Sequence, residues 1–342
     1  MPLVIPLFIP HRGCPHLCLF CNQHSITAAG QAAADAAAIG DTIRTWIRRS
    51  PGRDAVQAAF FGGSFTCLPL AEQQRLLQAV RPFIESGAVD TIRLSTRPDC
   101  IDAEVCRFLR DHRVGIVELG VQSFDDQVLR AARRGHAAAD SRRAVQLLQQ
   151  AGMAVGIQLM PGLPGETHRS FIAGIRHTVA LAPAFVRLYP AVVLRNTGLA
   201  AEWQAGRYRP LSLNQAVAKT ARGKQLLAAA GIRVIRMGLQ PSPELAAEVV
   251  AGPYHPAFGE CVQSRLWLTR LRRRLARLAA GQHLTICICG RDRSAIVGHQ
   301  KTNLRRLTAL GYGGRFTLQE DRRLARGSVE YVVSQSPPPR AA

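Results

Sequence analysis

The chain has 342 residues, enough to bury a sizeable core and to form one large domain plus a smaller one. Its 47% hydrophobic content excludes disorder as the starting expectation, and no apolar stretch is long enough to span a membrane. With 44 Lys and Arg against 23 Asp and Glu, the formal net charge is +21. Only Lys219, Lys224 and Lys301 are lysines, so nearly all of that charge is arginine. Such an imbalance points to a polyanionic partner, most simply RNA, over a merely well-solvated basic surface.

The N-terminal run LVIPLFIP is short, holds Pro2, Pro6 and Pro10 at and around it, and lacks a basic n-region, so it does not read as a signal peptide. A reducing, cytoplasmic setting is expected. Strands are predicted at 3–9, 56–61, 91–95, 115–121, 154–160, 185–189 and 232–237. Apolar-periodic helical segments lie between them, near 31–49, 69–86, 102–112, 125–133, 139–151, 167–181 and 212–230. Gly152 and Gly231 are placed as helix stops. The alternation predicts an α/β fold, a partial parallel (β/α)6 TIM-like barrel over residues 1–240 with its site at the C-terminal strand ends. Turn signals PSPE and GPYHP at 241–256 open a small basic α/β domain, residues 241–335. It is expected to contain a basic helix over 257–280, a strand LTICI, a helix over roughly 294–310, and strands near 315–319 and 329–334. The tail SPPPRAA, residues 336–342, reads as disordered.

Directly after the first strand, GCPHLCLFCNQ sets Cys14, Cys18 and Cys21 at C-x3-C-x2-C. Three thiolates can hold three irons of a 4Fe–4S cube and leave the fourth iron open. Zinc is the competing occupant, with His11, His16 or His24 as the fourth ligand. A disulfide framework is disfavoured by the odd count of nine cysteines and the missing secretory signal. Cys67, Cys100, Cys106, Cys261, Cys287 and Cys289 show no metal-like grouping, and Cys287 and Cys289 read as strand packing. The triplet after a first strand resembles the radical S-adenosylmethionine superfamily. That resemblance implies an open iron chelating the amino and carboxylate groups of S-adenosylmethionine. It also implies reductive cleavage of that cofactor to a 5′-deoxyadenosyl radical that abstracts a substrate hydrogen. An external one-electron donor such as ferredoxin or flavodoxin is implied as well, because the chain shows no second cluster motif.

The later strand ends supply further candidates. FFGGSFTCLP carries Gly62, Gly63, Ser64 and Thr66, and its glycines allow a close backbone approach to a ligand; it resembles the superfamily's element for the cofactor's amino group. LSTRPD offers Ser95, Thr96 and Arg97, either to the cofactor or as ordinary loop polarity. In VELGVQSF, Glu118 and Gln122 are four apart and fall on one strand face, aimed at the cofactor or at a polar network inside the barrel. QLMPGLPGET makes a tight turn through Gly162 and Gly165 that could pack on adenine. The Arg134–Gly135–His136 loop holds a histidine that could be an acid–base group or a bystander. Tyr189 and Arg195, with Asn196 and Thr197, are placed at the barrel mouth as candidate catalytic or substrate contacts.

ELGVQS, RRGH, MPGLPGET and above all RLYPAVVLRNTGLAAEWQAGRYRP resemble the radical domain of the Elongator catalytic subunit family, in order, over about residues 3–240. That resemblance implies modification of the tRNA wobble uridine. The family's acetyltransferase domain has no counterpart in the roughly 100 residues after 240, and its cysteine spacing is often wider. The resemblance therefore extends to the radical core and not to acetyl transfer. ELGVQSF and GLPGET also resemble the oxygen-independent coproporphyrinogen oxidase branch. Near the C-terminus, a strand, then VGHQK, then a helix resembles a KH-type module. In it Gly298 matches the first glycine of a backbone-clamping loop, Lys301 replaces the second, and Lys301, Arg305 and Arg306 would face phosphates. The expected function is radical S-adenosylmethionine chemistry on tRNA or other RNA. Chemistry on a small molecule or tetrapyrrole, and a non-catalytic zinc and RNA-binding protein, are the alternatives.

Overall fold

The structure, a computed structural model, describes residues 2–9, 14–21 and 36–335. His11, His24 and the tail 336–342 lie outside the described residues. The chain divides into two compact units, Met1–Pro256 and Ala257–Ala342.

The first unit is built on seven parallel strands: β1 (Leu3–Phe8), β2 (Val56–Phe61), β3 (Thr91–Thr96), β4 (Val114–Gln122), β5 (Ala154–Leu159), β6 (Phe185–Leu188) and, after the short β7 (Val193–Leu194), β8 (Arg233–Met237). They lie in the order β1-β2-β3-β4-β5-β6-β8 in a sheet curled as a half-barrel, with the strand expected at 232–237 joining as β8 beside β6. Helices at Ala36–Arg49, Leu70–Glu85, Ala103–Asp111, Ala138–Gln150, His168–Ala180 and Leu213–Ala229 cross between strands. Parallel strands covered by helices are buried on both faces, which explains runs such as Ala58, Ala59 and Phe60 with none of the three exposed. Local signals set the helix starts. Asp102 accepts a hydrogen bond from the Val105 N–H, and Ser212 and Gln215 cap each other reciprocally. Because all seven strands run the same way, the loops that follow them gather at one end of the barrel.

Two departures from regularity shape that end. β4 slips by one residue against β5 between Leu119 and Gln122, and Gln122 takes a left-handed backbone, φ 66°. Simple period-two alternation therefore does not relate Glu118 to Gln122. The Gln122 side chain folds back over Gly120, where an added Cβ would stand 3.0 Å from Gln122 Nε2. Residues 241–256, expected to begin the second domain, pack with the first unit instead. There β9 (Val249–Ala251) pairs antiparallel with β7, and Leu245 packs with Val192 and Leu194.

In the second unit β10 (His283–Ile288) lies between β11 (Phe316–Glu320), parallel to it, and β12 (Val329–Ser334), antiparallel. Helix Phe258–Leu275 turns Trp267, Leu268, Leu271 and Leu275 onto this sheet. The single helix expected over 294–310 is broken into Arg293–Val297 and Thr302–Leu307. Gly298 (φ 77°), Gln300 (φ 48°) and Lys301 (φ 61°) all leave the helical region between them. The buried Asn303 amide donates to the Ala295 and Ile296 carbonyls, so it satisfies the helix end that the break exposes. Among the described residues no helix is long and apolar enough to cross a membrane.

Phe60 is fully buried in the main core, with its ring 5.1 Å from that of Phe65. Phe60→Ala is expected to cost about 3–5 kcal/mol of stability, read as a lowered urea midpoint at unchanged slope.

Candidate active site

The cysteine segment 14–21 lies on the loops that follow β3 and β4. The Leu19 N–H donates to the Ala132 carbonyl, and the Leu19 carbonyl accepts from the Leu199 N–H. Cys18 is buried, and Cys14 and Cys21 are half-buried. Burial, together with the neighbouring Cys18 and Cys14, pushes the Cys21 thiol up to about 12. Cys21 thus lies within electrostatic reach of the other two sulfurs. Yet among the described residues no three His, Cys, Asp or Glu side chains close on a single ion. His16, the one expected zinc ligand that is described, instead approaches Asp99 at 4.0 Å, and its ring fills the space beside Gly135.

Two arginines face the thiols. Arg97 Nη1 lies 3.8 Å from Cys14 Sγ and 4.0 Å from Cys18 Sγ. Its Nε and Nη2 hold Asp99, and Nη2 also donates to the Arg134 carbonyl at 2.6 Å. Arg134 Nη1 reaches Cys18 Sγ at 3.4 Å, while Nη2 donates to the Gly120 carbonyl. Cys14 and Cys18 under two guanidinium donors, with Cys21 beside them, make a donor set whose chemistry suits an iron–sulfur cluster, whose thiolates carry the charge that these cations meet.

The other candidates fall around the same end. Gly62 has φ 102°, a conformation that glycine adopts freely, and it leads into the buried Ser64. Thr66 and Thr96 share a hydroxyl hydrogen bond of 2.6 Å that ties the loops after β2 and β3. A disulfide between Cys67 and Cys100, Cα–Cα 5.6 Å, joins the same loops, a pairing that departs from the expectation that disulfides are disfavoured and leaves both cysteines without metal-like grouping. These residues are 33 apart in sequence, so their spacing carries no pairing signal. Ser95 lies half-buried on β3, level with Glu118. Glu118 is met within the chain: Arg93 from β3 and Arg187 from β6 both pair with its carboxylate. Gln122 accepts from Gln158 Nε2 at 3.3 Å. In the MPGLPGET turn, Gly162 (φ 93°) donates its N–H to Glu166, which also pairs with Lys219 at 2.7 Å, and its carbonyl accepts from the Tyr208 hydroxyl. Gly165 is left-handed as well, φ 76°. The Tyr189 hydroxyl accepts from Arg187 at 2.8 Å, inside the barrel mouth. Arg195 lies apart from this group, exposed just beyond β7, with its N–H on the Glu248 carbonyl.

Reading the motifs one at a time names Arg97 and Arg134 without their thiol partners and leaves out Arg93 and Arg187. Arg187 is a charge within the otherwise apolar FVRL strand and Arg93 sits between the buried Ile92 and Leu94, a visible signal of an internal partner. Arg134 was overshadowed by His136 in the RGH loop. His136 is buried, with Nδ1 3.3 Å from the Ala137 carbonyl. Burial and the Arg134 charge pull its pKa down to about 4.

Over residues 8–176 the sequence matches the radical S-adenosylmethionine superfamily, and over 183–267 the C-terminal domain of radical S-adenosylmethionine proteins. The chain belongs to the radical S-adenosylmethionine superfamily. Like other members it is an enzyme whose cofactors are a 4Fe–4S cluster and S-adenosylmethionine. It is 33% identical over 138 residues to the tRNA uridine(34) acetyltransferase of Methanocaldococcus infernus, 39% of this chain and 26% of that protein. The corresponding enzyme of Dehalococcoides mccartyi is 38% identical over 121 residues, 34% of this chain and 26% of that protein. The chain thus spans about a quarter of these relatives' length. The fold is that of an N-terminally truncated Elp3 from Methanocaldococcus infernus, TM-score 0.62 at 20% identity, covering 79% of this chain and 64% of that one.

With the Cys67–Cys100 bond formed, seven cysteines lie outside any disulfide. Alkylation of the denatured apoprotein should label seven thiols without reductant and nine after reduction; nine in both would place this pair as a dithiol. His136 also makes apoprotein stability fall with acid. Above pH 6.5 both folded and unfolded states are neutral, between 6.5 and about 4 only the unfolded chain takes the proton, and below that both do. The expected loss across this window is ~3 kcal/mol, and His136→Gln should flatten it in urea titrations.

Proposed function

We propose that this enzyme modifies a nucleoside of tRNA or another RNA by hydrogen abstraction. The observation that carries the chemistry is Arg97 on the Cys14 and Cys18 sulfurs and Arg134 on Cys18, with Cys21 within electrostatic reach of both sulfurs, at the C-terminal end of a parallel half-barrel. The substrate class is supported by the +21 charge and by the similarity to tRNA uridine(34) acetyltransferases.

Cys14, Cys18 and Cys21 hold the cluster in this reading, and Gly62, Gly63, Ser64, Ser95 and Gln122 receive S-adenosylmethionine. When bound, the two cofactors supply hydrogen-atom abstraction driven by one electron from an external donor of the ferredoxin or flavodoxin kind. The left-handed Gly62 lets the backbone approach a ligand without a Cβ in the way. Gly162 and Gly165 hold the turn after β5 where a flat base could pack, and Glu166, Lys219 and Tyr208 brace that turn from behind. Glu118 serves as the counter-charge that keeps Arg93 and Arg187 in the barrel. Arg187 in turn orients the Tyr189 hydroxyl toward substrate. Arg195 is an outer contact, exposed for a large substrate.

In the second unit, the buried Gly298 leads into an exposed turn, His299–Lys301, between two short helices, with Arg305 donating to the Gln300 carbonyl to hold its shape. Gly298 has no room for a side chain, since an added Cβ would stand 3.0 Å from the Asn303 nitrogen. Lys301 and Arg306 extend from this loop toward solvent, suited to a sugar–phosphate backbone. Cluster chemistry on RNA favours a reducing cytoplasm, and the Cys67–Cys100 disulfide is the feature that runs against it.

The test is anaerobic reconstitution with iron and sulfide, then S-adenosylmethionine and dithionite, with 5′-deoxyadenosine measured with and without bulk tRNA. Cleavage stimulated by tRNA is expected, and Cys18→Ala should abolish cluster absorbance. Cleavage indifferent to tRNA would overturn the RNA reading in favour of a small-molecule substrate. Bound zinc in place of a cluster would overturn the chemistry itself.

A further inference from the structure

We infer that Arg97 and Arg134 are positioning residues that raise the reduction potential of the cluster through fixed charge on its thiolates. The inference rests on the reading that Cys14, Cys18 and Cys21 are the cluster ligands.

Both guanidiniums are buried, Arg97 at 1% and Arg134 at 6% exposure. Neutral thiols alone would not call for two such charges, because burying a cation without a counter-charge is costly. Asp99 is the carboxylate that pairs with Arg97, and Arg134 is held by the Gly120 carbonyl, a neutral partner. Among the described residues no acceptor meets Arg134 Nε. The thiol pocket is therefore left with an excess of positive charge, directed at Cys18 from two sides and at Cys14 from one. Neither guanidinium can shed its proton, so that charge is permanent.

Reduction of the cluster transfers one electron from the reductant, breaks no bond and moves no proton, and leaves the site one unit more negative. Fixed positive charge a few ångströms from the ligand sulfurs favours the more negative state, more strongly in a buried site than in water. N–H donation to the sulfurs acts in the same direction, since hydrogen bonds to ligand sulfur are among the controls on cluster potential. An external donor can then deliver its electron against a smaller gap.

The test is an EPR-monitored potentiometric titration of the reconstituted protein with dithionite, with iron content measured in parallel. Arg134→Gln should lower the reduced-to-oxidised ratio at a fixed potential about tenfold, a shift of ~59 mV for a one-electron couple. Arg134→Lys should recover most of that shift. Asp99→Asn removes a negative charge beside Arg97, so it should move the potential the opposite way. Opposite signs from two substitutions in one cluster of contacts are not produced by general damage. Unchanged potentials in Arg134→Gln and Asp99→Asn at normal iron content would overturn the inference, as would both moving in one direction. Should Arg134→Gln fail to assemble a cluster, Asp99→Asn decides: a raised potential supports the inference and an unchanged one overturns it. A wild-type protein that binds no cluster would instead refute the ligand reading.

Discussion

A buried arginine needs all its donors met, and Arg97 meets that need with groups from three separate loops. Asp99 lies two residues on in its own loop. The Arg134 carbonyl comes from the loop after β4, and the Cys14 and Cys18 sulfurs come from the segment after β1. None of these loops can shift without leaving a charge or a carbonyl unpaired at almost no exposure to water. The thiols, the candidate cofactor turn and the RGH loop are therefore one mechanical unit, although they are far apart in sequence. The Thr66–Thr96 hydrogen bond and the Cys67–Cys100 bond reinforce it one turn away, where the glycine turn after β2 begins.

Beneath this layer lies a second set of charges. Glu118 draws Arg93 and Arg187 into the barrel interior, and each guanidinium also lies over an aromatic ring, Arg93 4.6 Å from the centre of Phe185 and Arg187 5.5 Å from that of Phe61. Gly156 makes this possible on β5, since a Cβ there would stand 2.2 Å from the Phe185 ring. The barrel is thus filled by an ionic network below, in which Arg93 Nη2 meets no acceptor among the described residues, and opens on hydroxyl, amide and thiol groups above. That gradient suits an enzyme that must hold a charged cofactor at one end and keep a rigid, dry floor beneath it.

The second unit spends its arginines differently. On helix Phe258–Leu275 the apolar side chains face the sheet, while Arg270 and Arg274 lie against Tyr331 and leave their charges near the surface. The loop at Gly298–Lys301 holds two non-glycine residues in left-handed conformations, an energetic cost that a merely connecting segment has no reason to bear.

The seven parallel strands and their crossover helices were legible because each carries a local signal: an apolar run four to nine residues long, a helical period, a cap or a stop glycine. The cysteine triplet was legible because ligands close in space are here close in sequence. The turn signals at 241–256 concealed a helix, Pro243–Glu248, and β9, and did not show that the segment belongs to the first unit, since pairing of β9 with β7 leaves no mark in either segment. The same holds for the Cys67–Cys100 bond, the Glu118 network, the bulge that redirects Gln122, and the break at Gly298–Lys301. The sequence by itself determined the fold class, the cluster motif and the basic charge, because these depend on periodicity, spacing and composition. The tertiary structure alone decided which arginines face the thiols and which face Glu118. Such pairings are set by where distant strand ends meet, and no local pattern encodes that.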